Sequence, residues 1–235
     1  MKLPRILRNI LITLAAGLAL IALGVSSLWI YLHPRIETEK GTVYGHRHGR
    51  DLTIDVLRPA HTNGLGILLM VSGGWKSKAG SFQPWIAAPI LRRGYTIFAV
   101  YHLPQPEATV MEITEDVNRA VRFVRHNARR YGVDPQRLGV TGGSAGGHLS
   151  LMLATRGGPG PTDAPDPIDR ESSAVQAVAI FYPVTDLLNL GKSTENPGDG
   201  GPPMSFVKAF GPQSTNLVVW TNVIGREMSP IYYVN

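Results

Sequence analysis

Residues 142–148 read Gly-Gly-Ser-Ala-Gly-Gly-His. The first five spell G-x-S-x-G, the spacing of a serine raised on a sharp strand-to-helix turn with its hydroxyl presented for attack. Gly142, Ala145 and Gly146 supply the small neighbours that such a crowded turn needs. A serine hydroxyl is a weak nucleophile until a base takes its proton, so Ser144 calls for a histidine, and the histidine for an acid. Where this turn is used, the acid and then the histidine follow the serine in the chain. No histidine follows His148. The competing reading is a glycine-rich phosphate turn, but no lysine follows as a P-loop would require.

A second segment fits acyl transfer. Val71-Ser72-Gly73-Gly74-Trp75 directly follows an apolar run. An attacking serine generates an oxyanion that backbone N–H groups must receive. Those donors come from the residue after the nucleophile and from an early strand-to-helix loop. Ala145, Gly73 and Gly74 are the candidates, and glycine suits the loop because backbone must approach the substrate closely. By itself the loop reads first as an ordinary βα turn, and the serine motif reverses that order.

The base and acid are harder to place. His148 lies one helical turn past Ser144, inside the helix, and reads as structural. His102 ends an apolar strand on the same side of the sheet and is the one upstream histidine with a route toward Ser144. The aspartates after Ser144 include Asp163, Asp166, Asp169 and Asp186; of these, Asp186 directly follows a strand and could cap a helix or serve as acid. His46 and His48 share a hairpin end with no further ligands nearby, so no metal site is expected. No cofactor is implied.

The elements that must hold these residues show in the hydropathy pattern. Segments 66–71, 95–101 and 175–182 are unbroken apolar runs of strand length, and 137–141 is a weaker one. Such runs imply strands covered on both faces, as in a parallel sheet between helices. Segments 42–44 and 52–57 read as a hairpin. Helices are predicted over 84–93, 109–131 and 144–156. The second opens on a Thr109/Glu112 capping box and stops at Gly132. Segments 157–173 and 191–204, rich in Gly, Pro and Asp, read as surface excursions.

The chain has 235 residues, no cysteine and a net charge of +6. No run of Lys/Arg with interleaved aromatics is present, so nucleic-acid binding is not expected. Residues 10–32 contain no charge and no proline. About 20 apolar residues cross a bilayer. Lys2, Arg5 and Arg8 precede the run, which places the N-terminus in the cytoplasm and the rest outside it. The expected organisation is a membrane signal-anchor over 1–32, a polar linker over 33–41 and an α/β domain over 42–235. Cleavage after residues 22–24 is the alternative for the first segment.

Together, the Gly143-to-His148 segment, the Gly-Gly-Trp loop, Arg92-Arg93-Gly94-Tyr95, the 116–128 helix and Tyr131-Gly-Val-Asp-Pro135 resemble the α/β-hydrolase superfamily. The nearest branches are the bacterial feruloyl-esterase and dienelactone-hydrolase-like group and the hormone-sensitive-lipase-like esterases. The resemblance covers roughly residues 42–235. It implies a three-layer α/β sandwich with a mostly parallel sheet. It also implies Ser144 as nucleophile and Gly73, Gly74 and Ala145 as oxyanion donors. Val71 and Ser72 stand where the family has a histidine and a first glycine, which weakens the loop's hydrogen-bond support. The end, Ser229 to Asn235, resembles the stretch before the family's seventh strand. The expectation is therefore a chain lacking the last two strands, the final helix, and the acid and base they carry. A small ester or an esterified polysaccharide is the implied substrate, with a prolyl-oligopeptidase-like peptidase or a non-catalytic membrane-tethered remnant as alternatives. Residues 175–182 would then form an exposed sheet edge prone to self-association.

Overall fold

The computed structural model describes residues 4–190, 202 and 204–234. Six strands form one sheet: β1 (Ile36–Arg47), β2 (Arg50–Pro59), β3 (Gly66–Met70), β4 (Thr96–Val100), β5 (Leu138–Gly143) and β6 (Ala177–Phe181). Their spatial order is β1-β2-β4-β3-β5-β6. β1 pairs antiparallel with β2, and β2 antiparallel with β4. From β4 through β3 and β5 to β6 all pairing is parallel. The parallel strands end at residues 70, 100, 143 and 181, so the loops after them, including those with Ser72–Trp75 and Ser144, lie along one edge.

The chain crosses over the sheet through short helices. A 3-10 turn at Pro84–Ala87 continues into α2 (Ala88–Leu91). The predicted 109–131 helix is two: α3 (Val110–His126) and α4 (Ala128–Tyr131), separated at Asn127. The capping box forms as expected, Thr109 Oγ1 accepting from the Glu112 N–H and Glu112 Oε2 from the Thr109 N–H. Gly132 ends α4 at φ 66°, a left-handed position that suits glycine. α5 (Ala145–Arg156) follows β5 directly, and α6 (Pro167–Arg170) interrupts the 157–173 excursion. Most of the 191–204 excursion lies outside the described residues.

The larger core lies on one face of the sheet. Leu68, Met70, Phe98 and Val140 meet Ile113, Val117 and Val121 of α3 and Leu149 and Leu153 of α5 there, all essentially solvent-free. Each such side chain contributes about 1.5–3 kcal/mol by leaving water. The other face carries a smaller cluster in which Ala87 and Leu91 cover Leu57, Ile97, Ala99 and Tyr101.

Two expectations change. Residues 33–41 are not all linker, because β1 begins at Ile36 and pairs with Pro59. Its Glu and Lys side chains mask the strand in sequence, and such charge is how an outer strand avoids pairing with other chains. β6 is not covered on both faces: Val178 is 42% and Phe181 62% exposed. Among the described residues no strand lies beyond it and no helix covers its second face, where Ile67, Ile90, Tyr95, Val140 and Phe181 line an apolar recess.

α1 (Arg5–Leu32) has 28 residues and none is buried. At 1.5 Å per residue it is about 42 Å long, and it is long and apolar enough to cross a membrane. Its C-terminal end is tied to the domain. Arg92 Nε donates to the Tyr31 carbonyl at 2.6 Å and Nη2 to that of Ile30, and the guanidinium lies over the Tyr31 ring. These are orphan carbonyls at a helix end, where a cation is favourable.

Candidate active site

β5 ends at Gly143 and α5 begins at Ala145, so the whole reversal falls on Ser144. Its backbone sits at φ 52°, ψ −121°, a region that a residue with a side chain occupies only when the surroundings enforce it. The glycines show what enforces it. A Cβ on Gly142 would lie 2.4 Å from the Gly146 carbonyl oxygen, and one on Gly146 2.3 Å from that of Met70. α5 can therefore abut the ends of β5 and β3 only if both positions lack side chains. The Ser144 N–H is anchored by the Phe181 carbonyl at 3.0 Å, and its own carbonyl accepts from the His148 N–H at 2.9 Å.

The loop after β3 is tied to the same turn. The Gly146 N–H donates to the Ser72 carbonyl at 3.1 Å. Gly73 and Lys76 exchange two backbone bonds of 3.0 Å each. The Gly73 N–H is thus committed to Lys76, which corrects its expected part as an oxyanion donor: it serves an incoming charge only by leaving that bond. Gly74, at φ 56°, and Ala145 keep their N–H groups free of any acceptor among the described residues. These two are the donors the fold leaves open, one from each expected segment.

Below the loop lies Trp75, 1% exposed, with edge-on ring contacts to His148, Phe206 and Phe210. Trp75 Nε1 donates to His148 Nδ1 at 3.2 Å. His148 Nε2 stands 2.7 Å from the Met228 carbonyl and so carries the ring proton. Burial pushes the His148 pKa down to about 4, and the neutral ring is the form that can accept from Trp75. His148 is structural, as its place in the helix implied.

None of the seven histidines hydrogen-bonds Ser144, whose hydroxyl has no partner among the described residues. His46 pairs with Asp51, His48 with Glu112 and His126 with Glu171, all at the surface. His33 bonds the Trp29 carbonyl, and His61 belongs to the recess beside Arg92. His102, the candidate surrogate base, points its Nε2 at Ser72 Oγ instead, 2.9 Å away. Three of the named aspartates are occupied as well. Asp166 and Asp169 hold Arg119, while Asp186 accepts from the Leu188 N–H and the Asn189 amide. Asp186 therefore shapes a turn rather than serving as an acid for a histidine.

Two features were not read from sequence. One is the Ser72–His102 contact, which joins residues 30 apart. The other is Tyr182, at φ 36° and 82% exposed, whose hydroxyl lies 3.4 Å from where a Cβ on Gly143 would be. It forms a wall beside the turn, and its strained backbone has no sequence signal.

The BD-FAE family model matches residues 54–235. Esterase LipQ of Mycobacterium tuberculosis is 32% identical over 151 residues, covering 60% of this chain and 34% of LipQ. The acetylxylan esterase of Xylanibacter ruminicola is 31% identical over 99 residues, covering 41% of this chain and 20% of that enzyme. Among solved structures, the butyrate-bound thermophilic esterase of Thermogutta terrifontis superposes with a TM-score of 0.60 at 25% identity, covering 86% of this chain and 68% of that one. The chain thus spans about a third of LipQ's length. The match begins within β2 and takes in the Ser144 turn, the Gly73–Gly74 loop and all four parallel strands. On that span the chain belongs to the BD-FAE family of α/β-hydrolase esterases.

Proposed function

We propose that the chain is a carboxylic-ester hydrolase in which Ser144 is the nucleophile and the Gly74 and Ala145 N–H groups receive the oxyanion. The observation that carries this reading is the backbone of Ser144, held at positive φ between β5 and α5 with two unpaired N–H donors on the adjoining segments. Ser144 Oγ would attack the acyl carbon, and negative charge would develop on the carbonyl oxygen facing those donors. The first turn of α5 adds its dipole to that stabilisation. Short acyl esters, including acyl groups on a polysaccharide, are the substrate class the relatives' names favour. We place the domain outside the cytoplasm, tethered by α1.

The base for Ser144 is none of the chain's seven histidines as they stand. The serine therefore begins poorly activated, and the 235-residue chain turns over slowly. Hydrolysis of nitrophenyl butyrate should nonetheless exceed that of a peptide anilide and fall in Ser144→Ala. Equal ester rates for the two proteins would remove Ser144 from the chemistry. The chain should stay with membranes through a carbonate wash; release would remove the tether.

A further inference from the structure

One histidine is already joined to a serine, and that serine is not Ser144. Ser72 stands two residues past β3 and His102 two residues past β4. These strands are parallel neighbours, so both residues reach the C-terminal edge of the sheet together. His102 Nε2 lies 2.9 Å from Ser72 Oγ, and its Nδ1 lies 2.6 Å from the Leu103 carbonyl oxygen. A carbonyl only accepts, so Nδ1 holds the ring proton and Nε2 is left with its lone pair. Ser72 O–H therefore donates to Nε2. The ring is 5% exposed, and burial keeps it neutral. Ser72 itself is only half-buried, so its hydroxyl is not sealed off. The arrangement is nucleophile, base and orienting group, with a backbone carbonyl in the place an acid takes elsewhere. It also lies beside the acyl-transfer site: the Ser72 carbonyl accepts from Gly146 of α5, and the free Gly74 N–H is two residues on.

We propose that Ser72 and His102 form a second acyl-accepting pair, equipped with its own base and acting on activated carboxylic esters. Ser72 Oγ attacks the carbonyl carbon as its proton passes to His102 Nε2. The tetrahedral intermediate collapses, the bond to the leaving alkoxide breaks, and the alkoxide takes the proton from Nε2. Water, deprotonated by the same nitrogen, then attacks acyl-Ser72, and the serine leaves with that proton as the carboxylic acid departs and ionises in solvent. Nothing in this sequence of steps requires Ser144 to have a base.

The test is a fluorophosphonate probe on the full chain, with the modified residue mapped by tandem mass spectrometry. Phosphonylation by this probe forms a P–O bond, expels fluoride and sends the serine proton to the base. Ser144→Ala is expected to remain labelled, with the label on Ser72, and Ser72→Ala is expected to lose that adduct. His102→Gln keeps a polar group in place and should slow labelling of Ser72 at least about tenfold. An unlabelled Ser144→Ala protein, or an adduct confined to Ser144 in the wild type, would overturn the proposal while leaving the Ser144 reading intact. So would undiminished Ser72 labelling in a folded His102→Gln protein. Mapping on Ser144→Ala alone decides the matter if the histidine variant does not fold.

Discussion

Gly146→Ala is expected to destabilise the α/β domain by about 3 kcal/mol or more, a loss large enough to leave much of the protein unfolded or insoluble. The added methyl would lie 2.3 Å from the Met70 carbonyl oxygen and 3.4 Å from that of Ser72. Both obstacles are backbone, Met70 within the β3 ladder and Ser72 held by the Gly146 N–H itself. No rotamer change relieves either. The remaining route is to draw α5 away from β3, which opens the core under Leu149 and Leu153 and breaks the bond from the Gly146 N–H to the Ser72 carbonyl. Overpacking of a side chain against side chains costs about 1–3 kcal/mol, and here the neighbour cannot yield. Urea unfolding in detergent measures this directly. A variant within about 1 kcal/mol of the wild type would show that α5 does not abut β3.

Mild acid is the second large effect. His102 and His148 are both buried, and burial lowers the pKa of each to about 4. An unfolded histidine titrates near 6.5. Between those values the unfolded chain binds protons that the folded chain refuses, so stability falls as pH falls through this window. The loss amounts to about 2 kcal/mol per histidine at pH 5, or about 4 kcal/mol for both. Asp116 works in the opposite sense, since burial raises its pKa and the folded state takes up a proton sooner. Glu112 and Asp166 are lowered by their partners and lose their contribution below this window. The urea midpoint should drop clearly from pH 7 to pH 5, and His102→Gln should remove roughly half of that drop. A midpoint unchanged between the two pH values would mean that both rings are solvated.

The division between what sequence shows and what it hides follows from which information is local. β4 is a continuous apolar run because it is buried throughout, β3 is apolar as well, β5 is a weaker run, and each was legible to within a residue or two. The Thr109 cap and the Gly132 stop are chemical signals carried within one turn, and both ends of the 109–131 helical segment fell where they pointed. The break at Asn127 was hidden because the apolar period continues across it. β1 was hidden from Ile36 to Gly41 because its partners are 20 or so residues away in β2 and its own side chains are polar. For the site, Ser144 with its glycines is one contiguous motif, legible because the strand-to-helix reversal leaves no choice of residue size. The Gly73–Lys76 bonds depend on how the loop folds back on itself. The Ser72–His102 contact depends on β3 and β4 lying side by side, which no spacing in the chain states. The substitution at Ser72 looked like lost support for the loop. The structure shows that support arriving from the next strand, through His102.

The Ser144 proposal rests on a serine held on a formed turn that none of the seven histidines hydrogen-bonds as placed. Adding a base from solution shows whether that serine can react. The rate of nitrophenyl butyrate hydrolysis should rise with added imidazole about tenfold above the rate imidazole gives with Ser144→Ala, less than the roughly 100-fold or more that a positioned base contributes. The Ser144→Ala protein retains the Ser72–His102 pair, so the difference isolates Ser144. Identical imidazole dependence in the two proteins would contradict the claim, because the serine would then be present on its turn without being able to react.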